Sequence, residues 1–564
     1  MNAENIKDLF NPEKIEFLIP DYQRAYSWEE KNIKQFIEDI LDNSSYKKQY
    51  YLGHYLFERN PIRPEQLYVI DGQQRLTTIV IFMSCVYFEL KKRSQEAPIV
   101  DSDGDEVNIE RIREDFLKYS KFYKLSTVSD DNPFFEAYIY KDLDTSPINQ
   151  SQKRIAEAKS RFAKWLRSES TESILSYKDI IAEAAITTYE VKDKYQATQI
   201  FAFQNDRGKS LTELEKLKAE IMHKIYTYTL GDDDASRAVD YVKTQFAEIF
   251  KCIERFQYTD EDAVLNAHNL AFYPYDQTAM TFLKKGVKDC NGDVVEWIKE
   301  FTDDILKSYR NVLRIEHYFK YDSKIADIQI LDKYNSTPLL LKLFNHNDGD
   351  DSFIESIAGL VERILFKMTF RTDDYRTNRL ISIAKEYQGD KDGLAILLKD
   401  IANNGFMWYW RFNESCHNYF AVLQNHYSSW TKYVLWKYEN SLRKERGLTP
   451  ISAELYFNQF GRKREENTLD HITPRTPNFT IYTEEFEKMW LNNIGNLSLM
   501  GWGNNASKSN NDPVDNKEFY DSDYLSMKSI YKTLCEKGKW GEEEIRERLS
   551  VIVRFVDENW IATV

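Results

Sequence analysis

The chain is 564 residues long, 42% hydrophobic and 30% charged, with a formal net charge of -15. The length exceeds what one core can serve and predicts about three domains, and the composition is that of a folded globular protein. The acidic balance excludes passive coating of nucleic acid, which rests on neutralising phosphates, but it leaves room for an enzyme with local basic surfaces.

No apolar run approaches the ~20 residues of a membrane span. The start, Met1 to Phe17, lacks the basic and apolar stretches of a signal peptide, so the expectation is a cytoplasmic protein with no membrane partner. Cys85, Cys252, Cys290, Cys416 and Cys535 are odd in number and far apart, which fits neither a disulfide framework nor a cysteine zinc site. The aromatic content, 37 Tyr and 33 Phe, could stack on bases, but most of these rings must be core.

In chain order, β-rich runs (Ile15 to Ile19, Tyr50 to Phe57, Leu67 to Ile70) alternate with helical patterns that begin after Trp28 and after Arg75. This predicts a compact α/β unit. Residues 94–110 are polar and turn-rich, an exposed excursion. From about 151 to 445 the periodicity is helical, including Leu211 to Thr229, Ile354 to Phe370 and Tyr419 to Arg446, the last stopped by Gly447 and Pro450. Two basic segments interrupt the acidic average. Lys153 to Arg167 reads as a solvated helix face, and Arg443 to Arg464 as a nucleic-acid surface. Asn467 to Ile472 predicts a strand that turns at Thr473-Pro474. The expected division is an α/β head over 1–150, a helical middle over 151–435 and a small α+β tail over 436–564.

Two motifs mark the head: Ile19-Pro20-Asp21-Tyr22-Gln23-Arg24-Ala25-Tyr26-Ser27-Trp28, and Val69-Ile70-Asp71-Gly72-Gln73-Gln74-Arg75. The second places Gly72, Gln73, Gln74 and Arg75 at a strand-to-helix turn, where backbone N–H groups and the helix dipole favour an anion. Two amides and a guanidinium there could grip phosphate. The alternative is a polar turn whose arginine pairs with Asp21 or Asp71. Further on, Gly208-Lys209-Ser210 is not a Walker A loop, because the position five before Gly208 is Phe203 rather than glycine.

The tail carries Asp470-His471-Ile472-Thr473-Pro474, then Gly495-Asn496-Leu497, then Asn504-Asn505-Ala506-Ser507-Lys508. With His471 the only histidine after His426, a multi-histidine zinc site is excluded there, and one carboxylate plus an amide oxygen suits a hard cation such as Mg2+ or Mn2+. Phosphodiester hydrolysis needs a base, a metal for the developing charge, and a group to orient the base. His471 suits the base. Asp470 is the expected first metal ligand and Asn505 the second, with Asn504 an equally polar neighbour. Asn496 would hold the loop and the histidine, and Lys508 would contact a phosphate. Adjacent strand residues face opposite ways, so curvature must bring Asp470 and His471 together.

The head motifs, with Ile200 to Thr212 after them, resemble the N-terminal domain of the GmrSD-type modification-dependent (type IV) restriction endonucleases, which is similar to the ParB/sulfiredoxin-like fold. The tail resembles their HNH (ββα-metal) nuclease, with asparagine in place of the last histidine. The resemblance implies a nucleoside-triphosphate pocket lined by Gln23, Arg24, Asp71, Gly72, Gln73, Gln74 and Arg75 and completed by Asn205 and Arg207. It further implies triphosphate hydrolysis, cleavage of modified phage DNA, and anti-phage restriction. One such nuclease site cuts one strand per event, so double-strand cleavage would need two sites, as in a homodimer, or two visits. The competing expectation is a nucleotide-switched sensor of DNA modification with a vestigial nuclease tail.

Overall fold

The computed structural model describes residues 4–11, 15–46, 50–60, 62–100, 104–191, 211–229, 231–275, 277–369, 378–405, 420, 426–460 and 467–564. Asn205 and Arg207, the Gly208-Lys209-Ser210 triplet and Arg462 to Arg464 lie outside these residues. The chain divides into two compact units, Met1–Asn266 with Asp276–Arg310, and Ala267–Tyr275 with Asn311–Val564. Among the described residues no helix is long and apolar enough to cross a membrane.

The first unit is built on strands β1 (Glu16–Leu18), β2 (Tyr51–Arg59), β3 (Gln66–Asp71), β4 (Lys118–Tyr119), β5 (Phe122–Tyr123), β6 (Leu125–Ser126) and β7 (Ala185–Val191). Five of them form a mixed sheet in the order β6-β1-β3-β2-β7, while β4 and β5 pair apart from it. β1 is parallel to β3 and β6, and β2 is antiparallel to β3 and parallel to β7. Phe17, Phe57, Leu67 and Val69 on the strands share one apolar core with Leu76, Ile79, Val80 and Met83 of helix Gln73–Arg93. Each such side chain contributes roughly 1.5–3 kcal/mol on burial.

β7 falls inside the stretch expected to be helical. Its sequence, Ala185-Ile186-Thr187-Thr188-Tyr189-Glu190-Val191, is dominated by β-branched and aromatic residues, which lose rotamer freedom in a helix and suit a pleated surface. It takes an edge of the sheet, and Arg59 fastens it there through Glu190 at 2.6 Å. The helices expected after Trp28 and near Arg75 are Glu30–Tyr46 and Gln73–Arg93. The second starts earlier than its pattern suggests, so Gln73, Gln74 and Arg75 form its first turn. Gly72 makes the bend at φ 90°, and a Cβ there would lie 2.6 Å from the Tyr55 ring, so glycine is required on both counts. The basic run from Lys153 lies on helix Gln150–Ser168, where Arg161 pairs with Glu30 and Lys159 with Asp142.

The second unit stacks helices Lys324–His346, Asp351–Thr369, Lys391–Asn404 and Ser429–Glu445 around a buried charge network. Lys437 bonds Asp322 and Asp327 at 2.7 and 2.9 Å, while Glu362 accepts from Lys324, Tyr433 and Trp560. Every buried charge there has an opposite partner, the condition under which such groups are tolerated. Of the helix expected over Tyr419 to Arg446, Phe420 and Ser429–Glu445 are helical, and residues 421–425 lie outside the described residues. His426 and Tyr427 are not helical: the His426 carbonyl accepts from the Thr431 hydroxyl and the His426 N–H donates to Asn492 O.

The tail adds the antiparallel pair β8 (Asn467–His471) and β9 (Leu497–Gly501), with Asp470 opposite Ser498 and His471 opposite Leu497. Helix Trp502–Lys508 follows directly. Ile472, Met500, Tyr520, Ile530, Leu534, Trp540 and Ile545 form the core beneath them.

Candidate functional site

Strand alternation sends the two neighbours of the Asp470-His471 pair to different partners. Asp470 is 2% exposed, and both of its carboxylate oxygens accept from Lys508 Nζ at 2.9 Å. Its Oδ2 also accepts from Tyr520 Oη at 2.6 Å. Lys508 Nζ further contacts the carbonyls of His471 and Ile472 and the Tyr520 hydroxyl. Burial raises the Asp470 pKa and lowers that of Lys508, and each charge opposes the shift of the other.

His471 is held from two sides. Its Nε2 lies 2.9 Å from Asn492 Oδ1, and its ring stacks on Tyr427 with centroids 5.0 Å apart and planes at 20°. Arg475 lies over the Tyr427 ring at 5.8 Å. An amide oxygen at Nε2 assigns the proton to that nitrogen and leaves Nδ1 as the basic one. Burial pushes the His471 pKa down to about 4, so the ring is neutral throughout the neutral range.

Asn496 is fully buried and braces the backbone rather than the ring. Its Oδ1 accepts from Thr473 N at 2.9 Å, and its Nδ2 donates to Thr473 O and Leu491 O. The main-chain oxygen of Asn496 accepts from Ile472 N at 2.8 Å. Asn492, four residues earlier, makes the bond to the histidine ring, and Tyr427 supplies the stacking. Neither was singled out in the sequence, and only the Asn492-Asn493 pair before an apolar residue gave a signal. Arg548 closes the site from below, donating to the carbonyls of Ile494, Gly495 and Leu497 at 2.7–3.1 Å. Asn505 is half-buried on helix Trp502–Lys508, and its neighbour Asn504 is exposed.

This donor set does not fit a divalent ion as it stands. Both oxygens of Asp470 are taken by an ammonium, and the described residues contain no cluster of three His, Cys, Asp or Glu placed to hold a metal. Lys508 would have to leave Asp470 before it could reach a phosphate.

In the first unit Arg75 turns toward β2, donating to Leu52 O at 2.8 Å and His54 O at 2.7 Å, with Asp71 4.0 Å away. Burial raises the Asp71 pKa against the pull of Arg75. Asp21 instead accepts from the N–H and hydroxyl of Ser129. Gln23 donates to Ile70 O and accepts from Lys218, Gln74 bridges Ser27 N and Ala25 O, and Arg24 pairs with Glu261 at 3.1 Å. Gln73 is buried at the helix start.

Two adjoining clefts lie beside this motif. One, a shallow cleft of about 230 Å³ counted with its open mouth, is lined by Arg24, Gln74 and Thr127 among others, and the buried Thr127 hydroxyl has no hydrogen-bond partner. The other, about 320 Å³, is lined by Asp21, Gln23, Asp131, Lys251 and Glu254, where burial raises the Glu254 pKa to about 7. The Thr127 hydroxyl and the Gln74 amide are polar groups of the first cleft, while Arg24 is paired with Glu261. Gln23, Arg24 and Gln74 come to these clefts, whereas Asp71, Gly72, Gln73 and Arg75 are not among their lining residues.

No curated protein matches the chain. Residues 6–222 match the GmrSD restriction endonuclease N-terminal domain, and residues 413–555 match the GmrSD restriction endonuclease C-terminal domain. The Gly72 turn falls inside the first of these segments and the Asp470-His471 strand inside the second, and the chain belongs to the GmrSD restriction endonuclease family.

Proposed function

We propose that this restriction endonuclease, whose family makes DNA its partner, cuts modified foreign DNA with His471 as the general base, under control of a nucleoside triphosphate bound by the first unit. One observation carries the nuclease reading: the His471 ring is neutral, oriented by Asn492 and stacked on Tyr427, with Nδ1 left to accept a proton. A water oxygen attacks phosphorus, its proton passes to Nδ1, and the 3′-oxygen departs. A pKa near 4 makes a weak base, but one that is unprotonated throughout the neutral range. The sequence β8, β9, helix Trp502–Lys508 supports an HNH-type strand–strand–helix arrangement. Arg24, Gln74 and the unpartnered Thr127 hydroxyl support the nucleotide site, with hydrolysis of the bound triphosphate as the finer expectation.

A second reading, a nucleotide-switched sensor of DNA modification with a vestigial tail, is favoured by the neutralised Asp470. Purified protein and its His471→Ala variant, given magnesium or manganese with modified and unmodified DNA, separate the two. Cleavage by wild type alone supports the base assignment. Equal cleavage by both removes it, and cleavage by neither leaves the sensor.

A further inference from the structure

Attack on a phosphodiester builds negative charge on its non-bridging oxygens, and a cationic donor placed beside them lowers the barrier. Two cations bear on the His471 ring, Arg475 and Lys508. Lys508 is committed elsewhere: its side chain is 1% exposed and its Nζ is bound to both oxygens of Asp470. Arg548 is likewise spent on three carbonyls. Arg475 is exposed, and among the described residues its guanidinium has no carboxylate partner and no hydrogen bond.

The chain leading to Arg475 is fixed. Thr473 is held at its N–H and its carbonyl by Asn496, and the Pro474 carbonyl accepts from the Tyr482 hydroxyl at 2.8 Å. Beyond that root the guanidinium lies over the Tyr427 ring, 5.8 Å from its centroid, and His471 stacks on the same ring at 5.0 Å. Tyr427 therefore places the base and the guanidinium against one plate, and the ring itself is 45% exposed. A cation–π contact at such a site is worth only about 0.5–1 kcal/mol, so a charged ligand can draw the guanidinium away from it.

We infer that Arg475 is the residue that meets the phosphate in this site, its guanidinium gripping the non-bridging oxygens of the phosphodiester attacked beside His471. Its planar fork of N–H donors matches two such oxygens at once and its charge is permanent, so the contact strengthens as those oxygens gain charge. This gives to an exposed residue, four positions after His471, the role that spacing alone gave to Lys508. Lys508 instead braces the end of β8, through Asp470 and the carbonyls of His471 and Ile472.

This assignment rests on the nuclease reading of the tail, so cleavage and binding are measured separately. Wild type, Arg475→Ala, Arg475→Lys and an exposed control, Lys532→Ala, are compared on a short DNA duplex with and without 5-hydroxymethylcytosine. With magnesium or manganese, Arg475→Ala should cut about 100-fold more slowly than wild type. Arg475→Lys should recover part of that rate, because it keeps the charge and loses the fork. Without a divalent ion, the slope of log binding constant against log salt should become shallower by about 0.9 in Arg475→Ala, the mark of one lost phosphate contact. Lys532→Ala should match wild type in both assays. Wild-type cleavage that survives in Arg475→Ala, or cleavage lost with an unchanged slope, overturns the inference and spares the nuclease. If wild type cuts neither duplex, the nuclease reading falls and the slope decides alone: a drop keeps Arg475 as a phosphate contact, and an equal slope or no binding removes it.

Discussion

Gly495→Ala tests how tightly the loop behind His471 is clamped. A Cβ at Gly495 would lie 3.0 Å from the Ile545 carbonyl carbon and from its Cγ2, with the carbonyl oxygen closer still. The obstacle is helix backbone and cannot rotate aside, so helix Glu542–Val556 must move as a body. That helix carries Arg548, whose guanidinium donates to Ile494 O, Gly495 O and Leu497 O. Overpacking costs about 1–3 kcal/mol, and loosening a buried guanidinium from charge-assisted bonds costs about 1.5–3 kcal/mol more. The expected loss is therefore about 4 kcal/mol, which at ~2–4 °C per kcal/mol lowers the melting temperature of this unit by roughly 10 °C. Calorimetry of the full chain, followed by tryptophan fluorescence, reads it, with DNA cleavage measured below the new transition. A Gly495→Ala protein melting within about 2 °C of wild type would show that the clamp is not tight and would refute the reasoning.

Acid stability follows from the buried imidazoles. Burial lowers the pKa of His471 and His426 to about 4 and of His268 to about 3, whereas the unfolded chain protonates them near the reference value of about 6.5. Their contribution is thus complete above about pH 6.5 and is lost as the pH falls toward 4, by roughly 3 kcal/mol for each of His471 and His426. Denaturant midpoints that stay flat between about pH 7 and 5 would contradict this. Asn492→Ala should lower kcat by about tenfold or more with little change in KM, and shift the acid limb of the pH–rate profile, because the ring loses its fixed tautomer. An unchanged profile would mean that Asn492 does not position the base. Gly72→Ala should cost about 2–4 kcal/mol from its left-handed backbone and the Tyr55 contact, read by thermal melting of the first unit. Arg24→Gln should weaken nucleoside-triphosphate binding by about tenfold in filter binding, while Arg75→Ala should mainly lower thermal stability, since its donors serve Leu52 O and His54 O.

Residues that interact with near neighbours in the chain were legible, and those that act across it were not. Gly72 announced its turn because a strand pattern ended and a helical one began around a residue without a Cβ. The β8 strand, helix Glu213–Tyr228 and helix Asp351–Thr369 were visible in their periodicity for the same local reason. β7 was missed because its β-branched run is only seven residues long and lies between helical stretches, where a wide window averages it away. The pairing of Asp470 with Lys508 spans 38 residues and that with Tyr520 spans 50, and spacing carries no sign of either. Arg548 left a trace that could have been read. It shares a helix face with Ile545 and Ile552, three residues before and four after, and a charge on an apolar stripe marks a buried, partnered cation.

Asn496 has a consequence for what this tail can tolerate. Its side chain bonds both the N–H and the carbonyl of Thr473, and its main-chain oxygen takes the N–H of Ile472, so the two feet of the intervening segment are stapled together. The excursion in between carries Ile481 almost wholly in solvent, at 95% exposure. Once the feet are fixed, lengthening the span costs only about 0.6 kcal/mol per doubling. The outer part of this excursion is therefore the natural graft point of the molecule, where a tag or a foreign domain can be inserted without disturbing His471.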